Sequence, residues 1–260
     1  GSINNNTKNY VSWNWFAGNT TLGTGDFTQG SLASTCRRNV DAGFSIVSYT
    51  GNDTSGATIG HGLSKAPEMI IVKNRTLDGE DWRVYHSGMA SDAETDYINL
   101  NTTGAIADNA AMWADTAPSA TVFTVGGDAA VNDSVPMIAY CFHSVEGYSK
   151  LGFQLSNNST DGTFINTGFQ PKFIFMRGTF AASWTIADNE REAGNPFGQE
   201  ILFPNQTNAE TTYSSGGVDF LSNGFKVRAR GDGVHGANSA DARFIYMAFA
   251  EIPFKYSNAR

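Results

Sequence analysis

An internal repeat constrains the fold of this chain more than any other feature. Gly62-Leu63-Ser64-Lys65-Ala66-Pro67-Glu68-Met69-Ile70-Ile71-Val72-Lys73, with Trp82-Arg83-Val84-Tyr85 close behind, returns as Gly168-Phe169-Gln170-Pro171-Lys172-Phe173-Ile174-Phe175-Met176-Arg177 and Trp184-Thr185-Ile186-Ala187. Each copy passes from Gly through Pro into four apolar residues, a basic residue and then a Trp. Ile138-Ala139-Tyr140-Cys141-Phe142 closes the first copy as Ile245-Tyr246-Met247-Ala248-Phe249 closes the second. The offset is 104 residues at the prolines, 102 at the tryptophans and 107 at the final phenylalanines. Solenoid units are shorter, about 20 to 50 residues, and the period here is that of a complete small domain. Units of roughly 100 residues can bury their own cores without metal or disulfide staples. The sequence therefore predicts tandem modules with separate interiors, a plan more typical of adhesive and structural proteins than of single-site enzymes.

The composition fits sheets joined by many turns. Only 16% of the 260 residues are charged, 28 are Gly, and Asn, Thr and Ser are abundant. Turn formers mixed with β-branched and aromatic residues describe an all-β chain. A net charge of −8 argues against nucleic acid, which demands a concentrated basic surface. Cys36 and Cys141 are too few for a disulfide framework, and Cys141, inside an apolar run, reads as a buried free thiol. No stretch approaches the roughly 18 apolar residues that cross a membrane. Gly1-Ser2 resembles the remnant of a removed tag, so the chain is expected to be one piece of a longer protein.

Three regions follow: an N-terminal arm over 1–43, a first β-sandwich over 44–149 and a second over 150–260. The arm sets Trp13-Asn14-Trp15-Phe16 between flexible stretches, which suggests an extended segment packing its indoles onto a neighbour. Within it, 30–40 suits either a helical turn or a strand. Met69–Val72 and Met137–Phe142 are continuous apolar runs, as in strands covered on both faces or set in a sandwich core, whereas Trp82–Tyr85 and Thr121–Val125 alternate. Matching strands are expected at Phe173–Met176, Trp184–Ala187 and Phe244–Phe249. Helical periodicity is nearly absent. The predicted fold is all-β: two tandem antiparallel sandwiches, jelly-roll-like or Greek-key, abutting near 147–152.

Enzyme signatures are missing: no Gly-x-Ser-x-Gly elbow, no His-Glu-x-x-His, no phosphate loop and no Cys-x-x-Cys. His61, His86, His143 and His235 are scattered and read as surface or interdomain residues. Glu80, Asp81, Asp92, Glu94, Asp96, Asp188, Glu190 and Glu192 supply carboxylates that a glycosidase could pair, though solvated loops are the ordinary place for them. The same loops could offer oxygens to calcium, but none has the helical-hairpin loop spacing, so no cofactor is expected. Sugar binding suits the composition better, because pyranose rings lie on aromatic faces while a few polar groups take the hydroxyls. Trp113 beside Asp115, and Tyr213 in a Ser/Thr/Gly loop, are the candidate ligand-binding residues. The competing reading places Trp113 as a plug in the end of a sandwich. Trp82 and Trp184, at equivalent places, read as core. Arg230-Gly231-Asp232 is a tripeptide too short to carry meaning alone.

The segments Ser48-Tyr49-Thr50-Gly51-Asn52, His61-Gly62-Leu63, Ala66 to Arg75, Asp81 to His86, Tyr97 to Thr102 and Gly147-Tyr148-Ser149-Lys150 resemble a repeated domain of tailed-phage virion proteins, those of marine phages especially. The resemblance covers most of 44–256 and includes the duplication. It implies a tail-fibre or other virion surface role, made in the host cytoplasm, with a host glycan or surface protein and other virion proteins as partners. It supplies no catalytic residues. The second copy departs from the pattern at Asn157-Asn158 and Pro253-Phe254, so a site in the first need not recur in the second. A homotrimeric parent would add several weak contacts through multivalency. The expected function is host attachment without catalysis. A tail-associated polysaccharide hydrolase and a non-binding spacer or capsid decoration are the alternatives.

Overall fold

Apolar and β-branched runs bounded by Gly, Asn and Asp turns become strands almost throughout. The computed structural model describes residues 10–157, 159, 161–191, 200–212, 217–228 and 242–250. The first half holds β1 (Thr21–Leu22), β2 (Ser34–Asn39), β3 (Phe44–Thr50), β4 (Ala57–Gly60), β5 (Met69–Asn74), β6 (Arg83–His86), β7 (Asp96–Asn99), β8 (Ala107–Asp108), β9 (Val122–Val125) and β10 (Pro136–Phe142). Its helices are single turns, α1 (Ala110–Trp113) and α2 (Ala129–Asn132), capped by the side chains of Asn109 and Asp128. The second half holds β11 (Ser149–Leu155), β12 (Asp161–Asn166), β13 (Pro171–Gly178), β14 (Thr185–Asp188), β15 (Glu200–Ile201), β16 (Thr211–Thr212), β17 (Gly217–Leu221), β18 (Gly224–Arg228) and β19 (Arg243–Ala250). Among the described residues no helix is long and apolar enough to cross a membrane.

Among the described residues all the strand pairs are antiparallel, and the fold is an all-β, sandwich-type arrangement of several sheets. The first main sheet runs β1-β2-β3-β10-β5-β6-β7-β8 and the second β11-β19-β13-β14. Within them, β3-β10-β5-β6 and β11-β19-β13-β14 are the same object. Phe142 lies opposite Met69 as Phe249 lies opposite Phe173, and Met69 lies opposite His86 as Phe173 lies opposite Asp188. A one-residue slip would turn every side chain to the wrong face, so the matched register carries the duplication into three dimensions. Each main sheet is backed by a smaller one, β4-β9 in the first half and β12-β18-β17 in the second. The 30–40 segment is a strand at Ser34–Asn39, because β2 pairs residue for residue with β3.

The interiors are not separate. Alternation along β13 sends Phe173 and Phe175 into one core and Ile174 and Met176 into another. On β19, Ile245, Met247 and Phe249 join the first, and Phe244, Tyr246 and Ala248 the second. The larger core also contains Phe44, Met69, Val84, Ile98 and Phe142 of the first half. The second main sheet is thus covered on both faces, by the first half on one side and by its own small sheet on the other. Trp184 is sealed in the larger core at 1% exposure.

Buried polar groups stitch this seam. Arg177, 1% exposed, donates to the carbonyls of Asn99 (2.7 Å) and Thr102 (3.0 Å) and to that of Gly104. Burial lowers its guanidinium pKa to about 10. Trp184 Nε1 donates to the Asn99 carbonyl (2.8 Å), and His86 Nε2 lies 3.3 Å from the Tyr246 carbonyl. Such groups are costly to bury unless satisfied.

Candidate functional site

The arm reaches the open end of this seam. Trp15 meets Phe142, Phe173 and Phe249 edge-on at centroid distances of 6.5, 5.5 and 5.5 Å, and Trp13 tilts against Phe173 at 5.5 Å. Phe142 and Phe249 are the equivalent last residues of the two copies, so the tryptophans sit where the duplicated sheets converge. Edge-to-face and tilted geometries are those that aromatic quadrupoles prefer. Both indoles are partly buried. Packing of the arm's tryptophans on a neighbour, expected from sequence, occurs within the same chain.

A cleft of about 480 Å³ opens beside them, lined by Val11 to Trp15, Tyr148, Lys172, Phe173, Asp188, Glu190, Phe249 and Ala250. One wall is aromatic and the other ionic. Asp188, at the end of β14, is buried at 4% exposure. Its Oδ1 accepts from the backbone N–H groups of Glu190 (3.2 Å) and Arg191 (3.1 Å), and its Oδ2 from Arg191 Nε (2.6 Å). Arg191 also pairs with Glu210 and stands 6.0 Å from the centroid of the Trp13 ring. Glu190, exposed, holds Lys172 at 2.8 Å. Burial raises the pKa of the Tyr148 phenol, so it stays a neutral donor. The result is a concave, partly apolar site with fixed polar groups on one side, of a volume within the usual range for small-ligand pockets.

The residues singled out from sequence lie elsewhere. Trp113 is 2% exposed, donates from Nε1 to the Asp96 carbonyl (2.9 Å) and meets Tyr85 edge-on at 6.0 Å. Its indole fills the core and has no face to offer a sugar, so the plug reading describes it. Asp115 is exposed in the turn after α1, with φ of 47°, and is not joined to Trp113 in any concave site. Tyr213 lies outside the described residues, as do Glu192, His235 and Arg230 to Asp232. Of the paired-carboxylate candidates, Glu80 and Asp81 hold Arg83, with Asp81 also accepting from Asn99 and Asn101. Asp96 is buried, its pKa raised by that burial and by Asp92 and Asp108. Among the described residues, Asp188 and Glu190 are the candidates that line the cleft, and each already has a cation partner.

His86 lies at the seam between the copies, an interdomain place, while His61 and His143 are not at the surface. His61, His86 and His143 are at most 4% exposed. Burial lowers His61 and His86 to pKa values of about 4, which keeps them neutral. Among the described residues no group of three or more His, Cys, Asp or Glu side chains could hold a metal ion. Trp82, expected in the core, is half-buried, stacked with Tyr140 at 6.4 Å, and lines a second, shallower cleft of about 400 Å³.

Fold and cleft together define a class: an all-β, sandwich-type protein with a duplicated main sheet and an aromatic groove at the seam. The chain belongs to the family described as a domain of unknown function, DUF7483, whose model matches residues 1–253 and so takes in the arm and both copies. Neither the curated proteins nor the solved structures give a match.

Proposed function

We propose that this chain is a non-enzymatic surface module of a phage virion that attaches to a host-cell glycan, seating a sugar in the groove beside Trp13 and Trp15. The observation that carries the reading is the pairing of partly buried indoles with ionic groups in one cleft of about 480 Å³. A pyranose ring presents an apolar face to an indole, while Glu190, Lys172 and the Asn14 amide are placed to meet hydroxyls around its rim. The virion setting rests on the sequence resemblance. Asp188 spends both oxygens on Arg191 and backbone N–H groups, which suits bracing the wall of the groove better than donating a proton. Weak single-site binding would gain avidity if several copies are displayed together.

A glycan array followed by titration calorimetry tests this. At least one glycan class is expected to bind, with Trp13→Ala lowering affinity by about tenfold or more, or ~1.4 kcal/mol, in a variant that still unfolds in one cooperative transition. No bound glycan, or binding indifferent to Trp13→Ala, overturns the assignment of the groove. Release of reducing sugar that Glu190→Gln abolishes would replace attachment with hydrolysis.

A further inference from the structure

The two copies differ at one sheet edge. In the first, β3 is covered on its outer side by β2, which pairs from Ser34 opposite Tyr49 to Asn39 opposite Phe44. In the second, β11 takes the place of β3, pairing with β19 as β3 pairs with β10. Among the described residues no strand lies along the outer side of β11. Both ends of the first main sheet are two-residue strands, β1 and β8, the short edges by which proteins avoid unwanted pairing. β11 is seven residues long, with Lys150 its only charged residue and no Pro.

Hydrogen bonding identifies which backbone groups β11 leaves open. Ser149 bonds to Val145, and Leu151 N–H to Ser144 Oγ, on the side away from β19. Outward and inward residues alternate along an antiparallel strand, so Phe153 and Leu155 also direct their N–H and C=O groups outward. The Leu155 carbonyl accepts from the Gln154 side chain (3.1 Å). The open groups are then the Leu151 carbonyl, both groups of Phe153 and the Leu155 N–H. At this same stretch Phe153 and Leu155 are 46% and 40% exposed.

We propose that β11 pairs antiparallel with β11 of a second copy of this chain, about a twofold axis at Phe153. That register uses every open group. Phe153 of each copy exchanges both its bonds with Phe153 of the other, and each Leu155 N–H donates to the opposite Leu151 carbonyl. The same pairing turns each Leu155 carbonyl toward the opposite Leu151 N–H, so the Ser144 hydroxyl and the Gln154 side chain that hold those groups in one copy swing aside as the dimer forms. Phe153 then faces Phe153 and Leu151 faces Leu155, which covers the exposed apolar surface. Lys150 falls opposite Ser156, so no like charges stand directly opposite, and the Arg243 guanidinium, 4.1 Å from the Phe153 ring centroid, is the cation beside the axis in each copy. A closed twofold of this kind is the commonest form of self-association, and it stands whether or not the groove binds a glycan.

Sedimentation equilibrium over a wide concentration series tests it, with hydrogen exchange read at single amides. The expected result is a monomer–dimer equilibrium in which the Phe153 and Leu155 amides gain protection as the dimer forms. Leu155→Lys and, separately, Phe153→Pro should each weaken association about tenfold or more, the first by charge on the edge and the second by removing an outward N–H. A monomer at every concentration overturns the proposal. So does a dimer that persists in both variants, or one in which those amides stay unprotected.

Discussion

Trp82 and Trp184 hold the same station in two sheets of identical register, yet one lies half-exposed over a shallow cleft and the other is sealed. Trp184 stacks on Phe175 at 4.5 Å and 8°, with its indole N–H on the Asn99 carbonyl. Trp82 stacks on Tyr140. The basic residues one step away diverge likewise. Lys73 donates to the Glu80 carbonyl (2.6 Å) within its own hairpin, whereas Arg177 crosses to the other copy and takes the carbonyls of Asn99, Thr102 and Gly104. His86, neutral in the seam, corresponds to Asp188, ionically paired in the cleft. Duplication kept the strand geometry; what each position now does depends on what packs over it.

The sharpest way to break this comparison is to remove the two basic residues in turn. Arg177→Met should cost about 4 kcal/mol, because it strands buried carbonyls that the guanidinium satisfied. Lys73→Met, at a half-exposed position, should cost under ~1 kcal/mol. Urea midpoints at constant m-value measure both, and equal losses would mean that the seam is not sealed as described.

Acid supplies the next largest effect. His86 has a pKa of about 4 in the fold against an ordinary 6.5, because burial disfavours its cation. Between those values the unfolded chain binds the proton and the native one does not, so this contribution is whole above pH 6.5 and lost as pH falls toward 4. At full expression it is on the order of 3 kcal/mol. His86→Gln should flatten that limb of the stability–pH curve, with His61, also at about 4, accounting for what remains. An unchanged limb would place the pH sensitivity elsewhere.

The smallest prediction concerns what the copies share. Asn101 Oδ1 accepts from the Trp82 N–H (2.9 Å), and Asn205 Oδ1 from the Trp184 N–H (3.1 Å). Asn101→Ala and Asn205→Ala should each cost about 1 kcal/mol by denaturant unfolding. A marked inequality would show that the duplicated turn has diverged in use.

Much of the architecture was legible in the sequence, because the signals that declare it are local. The four-residue apolar runs at Met69 and Phe173 read as strands; the second is buried on both faces, whereas the first leaves Ile71 only partly buried on the face of the shallow cleft. The fate of the tryptophans was less legible. Trp113 beside Asp115 looks like a binding loop, but a one-turn helix ending in left-handed Ala114 directs the indole inward and leaves the carboxylate outside. The groove could not be read at all, since it joins an arm at Trp13, a hairpin at Tyr148 and strand ends at Phe173, Asp188 and Phe249. The one early signal was the Trp13-Asn14-Trp15-Phe16 cluster, too aromatic for a segment left in solvent.

The placement of β13 and β19 between two apolar cores has a consequence for the history of the chain. Deleting the first copy would bare Phe175, Ile245 and Met247 to water, while keeping it obliges the second never to drift far from the surface it leans on. Twin units that began as interchangeable have become mutually dependent, so recombination can shuffle them only as a pair.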